Sequence, residues 1–252
     1  MLPVSRREYK VMLDHRRFLD RKRAAKKFWG DLRACCARLK VIYMGDFDTT
    51  DKREIAFLDT ANQTIRENYL VFRQQFNVET GETEYTLKCR SPDRYVAASA
   101  GVRAGRGLDD DPKFEEDIGT PFVSRFSRSN TVFGPEKAPG SFKEAAKLFP
   151  VLGNLKGKGR LQPVSPRVYE RVLRGPKLKF GGLTAEVAMI VWSDGPDRKP
   201  VVAEFSFRYK RNESDLSSKV ARQAMEFFDA VQRLDWCLPE GGTKTQYAYG
   251  TG

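Results

Sequence analysis

Residues 201–210 carry side chains that could bind an anion. The segment VVAEFSFRYK alternates largely apolar residues with Glu204, Ser206, Arg208 and Lys210. Successive side chains of an extended strand point to opposite faces, so these four residues share one face. A surface strand with a solvated face has the same pattern. The alternative is that the polar face lines a binding cavity.

Further segments repeat this alternation, at about residues 5–13, 69–77, 84–91 and 164–173. The polar residues that share a face in each of them are Arg6, Glu8, Lys10, Arg73, Gln75, Glu84, Thr86, Lys88, Arg90, Arg167, Tyr169 and Arg171. Five strands with the same chemistry predict a curved sheet whose concave face is polar and whose convex face is buried.

Two long amphipathic segments, roughly 15–39 and 214–238, predict helices that cover the convex face. Together with strands at about 54–60 and 184–192, they predict an α+β fold. Its centre is an antiparallel β-barrel of about eight strands that encloses a polar tunnel, with helices packed outside. Without an internal repeat or a convincing linker, we expect a single domain over residues 1–252. Gly, Asp, Pro and Ser dominate residues 92–140, which predicts an insertion that is mostly loop.

The composition predicts an anionic partner. The 252 residues include 45 Lys and Arg against 33 Asp and Glu, which gives a net charge of +12. Such an excess fits nucleic acid, a membrane surface or a phosphate-rich small molecule. Four cysteines without a Cys-x-x-Cys pair and a single histidine argue against a structural zinc site. No apolar run has the length of a membrane span, so we expect no membrane partner and a cytoplasmic location.

The mixture of cations and carboxylates on the polar faces predicts a phosphate site. Arginine binds phosphate oxygens in a bidentate manner, and lysine adds a point charge. Carboxylates beside an anion are unfavourable unless a divalent cation bridges them. Mg²⁺ commonly binds one or two carboxylates, water and phosphate oxygens together. The pattern therefore points to a metal-assisted phosphate site.

The order of the motifs resembles that of the CYTH domain, or triphosphate tunnel metalloenzyme, family. Residues 7–10 (REYK) resemble the end of its Glu-x-Glu-x-Lys first strand. Residues 57–73 (FLDTANQTIRENYLVFR) and 81–90 (GETEYTLKCR) resemble its next Arg-bearing and Thr-Leu-Lys strands. Residues 201–207 resemble its late Glu-x-Glu strand, and 243–250 (TKTQYAYG) its closing segment. The family includes thiamine triphosphatases, inorganic triphosphatases and class IV adenylyl cyclases.

This resemblance implies a CYTH-like domain that hydrolyses inorganic triphosphate, a nucleoside triphosphate or thiamine triphosphate with Mg²⁺ or Mn²⁺. The residues implied to clamp the phosphates and assist catalysis are Lys10, Arg73, Lys88, Arg90 and Arg171. The wider substrate-binding set adds Arg6, Arg167, Arg208, Lys210 and Lys244. Glu8 and Glu204 are the implied metal ligands, with Glu186 or Asp194 as helpers.

The chain departs from the family pattern at several positions. Arg6 and Ser206 stand where the family has acids, and Gln246 stands where it has a lysine, although Lys244 is close by. The loss of two acids weakens the implied metal site. A non-catalytic module that binds polyphosphate or a nucleotide is therefore the alternative. Nucleic-acid binding by the basic first helix is a third hypothesis, which rests on net charge alone.

Overall fold

A computed structural model describes residues 3–155, 159–210 and 217–250, which contain eleven strands and six helices. The strands are β1 (Arg6–Leu13), β2 (Ile42–Met44), β3 (Thr49–Asp59), β4 (Leu70–Asn77), β5 (Thr83–Ser91), β6 (Lys113–Gly119), β7 (Val123–Phe133), β8 (Gln162–Pro163), β9 (Val168–Phe180), β10 (Leu183–Ser193) and β11 (Pro200–Lys210). The helices are α1 (Arg21–Leu39), α2 (Thr64–Glu67), α3 (Arg94–Ser99), α4 (Phe142–Leu148), α5 (Ser218–Gln232) and α6 (Lys244–Ala248).

Nine of the described strands form a ring of hydrogen-bonded neighbours. The order runs β9-β10-β11-β1-β6-β7-β5-β4-β3, and β3 pairs back onto β9. The short strands β2 and β8 extend from β9 and β3. All pairs are antiparallel except β1 with β6, which is parallel. The predicted α+β class with a large, mostly antiparallel sheet is confirmed, but the prediction of about eight strands is wrong.

The outer face of β1 and β9–β11 is buried under α1 and α5. Asp20 begins α1 by accepting a hydrogen bond from the Arg23 N–H. The apolar face of the alternating 201–210 segment contacts both helices, since the Phe205 ring lies 5.3 Å from Phe28 and the Phe207 ring 5.4 Å from Phe227. Burial of this face turns the polar face of β11 toward the inside of the ring.

A second apolar cluster covers the outer face of β3, β4 and β5. It includes Phe72, Leu87 and Phe149, and the Phe72 and Phe149 rings lie 6.0 Å apart. Phe149 follows α4, which Ser141 caps by accepting a hydrogen bond from the Glu144 N–H. The outside of the ring is therefore apolar at two places, and the polar residues of β4 and β5 point inward.

The stretch predicted as a mostly loop insertion, residues 92–140, takes part in the ring. This stretch contains α3, β6 and β7, and β6 completes the ring between β1 and β7. The alternation in β6 is hard to recognise because its inward face carries Lys113, Glu115 and Asp117 and its outer face mixes apolar residues with Glu116.

The two long helices are shorter than predicted. A 3₁₀ turn over His15–Phe18 precedes α1, which begins only at Arg21. The final helix α5 ends at Gln232, and the predicted residues 214–216 lie outside the described residues. Within the described ranges, no helix combines the length and apolar character that crossing a bilayer requires.

Candidate functional site

The ring encloses a strongly basic cavity of about 280 Å³. Seven basic and three acidic side chains line it, with a few apolar ones: Lys10, Arg73, Lys88, Arg90, Lys113, Arg208 and Lys244, and Glu8, Glu115 and Glu204. Neighbouring cavities of about 280 and 150 Å³ share Lys244 and other lining residues with it. Strands that are distant in sequence therefore bring most of the predicted cations to one place.

A larger cleft of about 830 Å³ lies on the outer surface between α1 and α5. Its charged lining consists of four basic and four acidic residues: Arg17, Lys27, Arg38, Arg233, Asp31, Glu226, Asp229 and Asp235. This balance gives the cleft no preference for an anion, so the smaller interior cavity is the better candidate for the predicted phosphate site.

Asp117 lies at the point where three of the cavity's cations converge. Its carboxylate is 2.9 Å from Lys10 Nζ, 3.3 Å from Lys88 Nζ and 2.7 Å from Arg90 Nη2. Burial opposes ionisation of this carboxyl, but the three cations outweigh it and hold the pKa of Asp117 well below its ordinary value. The parallel register of β6 with β1 sets Asp117 opposite Glu8.

The two implied metal ligands are each bound to a lysine. Glu8 accepts from Lys10 at 3.0 Å, and Glu204 accepts from Lys244 at 2.7 Å. Burial and the Asp117 carboxylate raise the pKa of Glu8, but Lys10 and Lys88 together lower it below its ordinary value. In the described ranges no three His, Cys, Asp or Glu side chains form a group that could hold a metal ion. Mg²⁺ or Mn²⁺ would therefore have to displace Lys10 and Lys244 to reach Glu8 and Glu204.

Among the described residues, Arg73 makes no short ion pair, unlike the other lining arginines Arg90 and Arg208. Its Nη2 donates to Thr86 Oγ1 at 3.3 Å, its buried Nε has no hydrogen-bond partner, and within the described ranges no carboxylate lies at ion-pair distance. Burial lowers the pKa of its guanidinium. Glu170 and Glu84 stabilise this partly buried cation only from beyond ion-pair distance, and a bound anion would stabilise it further.

Of the other predicted residues, Arg208 and Glu186 line the interior cavities, whereas Arg6, Lys210 and Asp194 are not among the residues that line them. Arg208 donates to Glu186 at 2.9 Å, while Arg6 lies 3.9 Å from Glu115. Lys210 is exposed at the end of β11. The proposed helper Asp194 accepts from the Tyr247 hydroxyl at 3.4 Å.

The structure does not bring Arg167 and Arg171 into the cavity, because the face of β9 that was predicted to point inward points outward. Arg167 donates to Gln74 at 3.1 Å and Arg171 lies 3.9 Å from Asp197, both on the outer face. The inward face of β9 carries Glu170 instead, which accepts from Trp192 Nε1 at 2.9 Å.

The reversal in β9 has a physical cause. The ring interior is not polar throughout, since a small apolar cluster fills part of it. Val168 of β9 packs there with Phe57 and Trp192. An inward face that holds valines beside one glutamate looks like an outward, helix-covered face when the sequence is considered alone.

Several residues of the interior were not predicted from the sequence. Asp117, Glu115 and Lys113 come from the stretch predicted as loop, and Glu170 and Arg53 from faces that were not considered. The alternation of charged residues at positions 113, 115 and 117 is the signal that could have identified the first three. For the others no local signal exists, since only the pairing of β3 with β9 turns them inward.

No protein-family profile and no curated protein matches this chain. A proposed adenylate cyclase from Bacillus halodurans is similar over 97% of this chain and 98% of its own, with 10% identity and a TM-score of 0.46. A proposed adenylyl cyclase from Hippeastrum, described with a dominant triphosphatase activity, is similar over 99% and 96%, with 12% identity and a TM-score of 0.47. At this level the similarity supports no conclusion about activity.

Proposed function

We propose that the cavity inside the ring binds a triphosphate-bearing small molecule or a short polyphosphate. The observation that carries the proposal is Arg73, a guanidinium inside the ring whose Nε has no hydrogen-bond partner and which no described carboxylate approaches to ion-pair distance. Arginine is always charged at physiological pH and offers several donors in a fork that matches phosphate oxygens. An anion in the cavity would supply the missing acceptors.

The charge of the lining supports a polyanion over a monoanion. Seven basic residues and three acidic ones line about 280 Å³, and an excess of positive charge remains when Asp117, which contacts three of these cations, is counted as well. Several linked phosphates can contact cations from β1, β4, β5 and β11 at once, whereas one phosphate reaches only a few of them. The position of these cations inside the ring also favours a small ligand over a nucleic-acid duplex.

Metal-dependent hydrolysis, the activity that the family resemblance implies, stays a prediction. Lys10, Lys88 and Arg90 do converge at one point, as a phosphate clamp requires. To bind a metal ion, Glu8 would have to release Lys10 and Glu204 would have to release Lys244. Phosphate release from tripolyphosphate, ATP and thiamine triphosphate, with Mg²⁺ and with Mn²⁺, tests this activity.

Calorimetric titration with tripolyphosphate at low ionic strength, in EDTA, tests binding. We expect the parent to bind and Arg73→Gln to bind more weakly by about tenfold or more, since a charge-assisted hydrogen bond to phosphate is lost. Arg171→Gln is the matched control: it also removes an arginine from the ring, but from the outer face, and should leave the affinity unchanged. Equal loss in both variants, or no binding by the parent, would refute the proposal.

A further inference from the structure

Both oxygens of the Asp117 carboxylate accept hydrogen bonds. Oδ1 accepts from Lys10 Nζ, and Oδ2 accepts from Arg90 Nη2, Lys88 Nζ and, at 3.4 Å, the Ser127 hydroxyl. The residue is only 5% exposed. Three cations and a hydroxyl around one anionic group form the kind of arrangement that binds a phosphate oxygen.

Asp117 and a phosphate group would therefore compete for the same donors. Two anions that share one set of cations repel each other at short range, so they cannot both occupy the site without cost. A phosphate can bind there only if the carboxylate moves away or if other contacts of the ligand offset the repulsion. A ligand with several linked phosphates has such contacts, for example with Arg73, whereas orthophosphate does not.

We propose that the Asp117 carboxylate is the counter-ion of the anion site when no ligand is bound. It occupies the position of a phosphate group and thereby makes the site selective for polyanions. This inference rests on the proposed function. The carboxylate keeps three partly buried cations paired when the ligand is absent. It also lowers the affinity for every anion, and it does so most for small anions that reach no other part of the cavity.

The test compares Asp117→Asn with Glu116→Gln by calorimetric titration with tripolyphosphate and with orthophosphate at constant ionic strength. Glu116 is adjacent in β6, but it lies on the outer face, where it contacts Arg7 and Ser124. For Asp117→Asn we expect tripolyphosphate affinity to rise by about tenfold or more, because a like charge beside the ligand is removed. Orthophosphate affinity should rise by a larger factor, and Glu116→Gln should match the parent.

A purely structural role for Asp117 predicts the opposite sign. Loosening of the cavity weakens binding, whereas removal of a counter-ion strengthens it. If the parent binds tripolyphosphate and Asp117→Asn binds it no more tightly, the inference is overturned while the proposed function stands. If neither binds, the proposed function is overturned, and the inference with it.

A second pair of variants applies if Asp117→Asn alone does not fold. Lys88→Gln is compared with Lys88→Gln/Asp117→Asn, in which the loss of one cation offsets the loss of the carboxylate. The double variant should bind tripolyphosphate more tightly than Lys88→Gln, because Arg90 and Lys10, which still pairs with Glu8, no longer contact a carboxylate at position 117 and can donate to phosphate. An equal or weaker affinity of the double variant overturns the inference.

Discussion

The Lys244 ammonium group lies 2.7 Å from the Glu204 carboxylate and joins α6 to the inner face of β11. The same lysine is 5.9 Å from the centre of the Trp192 ring. A carboxylate that the family resemblance assigns to a metal therefore anchors the helix near the end of the described chain. Lys244 and Glu204 therefore have a structural role and also line the anion cavity.

Lys244→Met should destabilise the fold. The Glu204 side chain is only 6% exposed and would lose its cation, so we expect a loss of about 1–3 kcal/mol in the free energy of unfolding. Lys52→Met is the control, because its pair with Glu79 is about half exposed on both sides and is expected to contribute less than about 1 kcal/mol. Urea denaturation measures the free energy of unfolding of both variants. Equal losses would show that the buried pair stabilises the fold no more than the exposed pair does.

Binding of tripolyphosphate should not require a divalent metal. Lysines already neutralise Glu8 and Glu204, so the cavity cations can contact phosphate directly. We expect calorimetric titration to detect binding in EDTA. Binding that is seen only after Mg²⁺ or Mn²⁺ is added would contradict this prediction.

Restoring the two missing acids should create metal dependence. Arg6 and Ser206 face the same side of their strands as Glu8 and Glu204, so Arg6→Glu/Ser206→Glu adds two carboxylates to the ring interior. The double variant should bind tripolyphosphate more weakly in EDTA and regain affinity with Mg²⁺ or Mn²⁺. If the metals have the same effect on variant and parent, the predicted position of the metal site is wrong.

The contribution of Asp117 to stability should depend on pH. Burial disfavours its charged form, but Lys10, Lys88 and Arg90 lower the pKa of the folded state below the ordinary 3.8. The folded state therefore binds this proton less readily than the unfolded state. The stabilisation is fully present above pH 3.8 and is lost as the pH falls toward the folded pKa.

Urea denaturation of the parent and Asp117→Asn across this range checks that sign. The difference in unfolding free energy should be largest near neutral pH and should shrink in acid. A difference that stays constant with pH would show that the ionised carboxylate is not the source of the stabilisation.

Tripolyphosphate should change the fluorescence of Trp192. This indole lines the cavity and donates to Glu170 at 2.9 Å, whereas Trp236 donates to Asp31 in the outer helical layer. Because tripolyphosphate does not absorb light, any change on binding reports the environment of the protein. Trp192→Phe should abolish the change and Trp236→Phe should preserve it. The reverse pattern would place the ligand outside the ring.

Local alternation in the sequence is enough to predict the interior residues of β1, β4, β5 and β11. In these strands one face is apolar and the helices or the second apolar cluster cover it, so Glu8, Arg73, Lys88 and Glu204 must point the other way. The two-residue alternation of side chains and the apolar character of one face are both visible in the local sequence, and together they determine which residues point inward. The α+β class follows from the same patterns.

Only the tertiary structure decided the rest. β6 is a strand because β1 and β7 supply hydrogen-bond partners on both sides, and this parallel pairing brings Asp117 beside Lys10, Lys88 and Arg90. Which face of β9 points inward depends on an apolar cluster inside the ring, and no single segment of the sequence reveals that cluster. The sequence by itself determined which residue types could form a cationic site. Whether each cation meets a carboxylate or is left to bind an anion depends on distances between strands far apart in the chain, and those exist only in the closed ring.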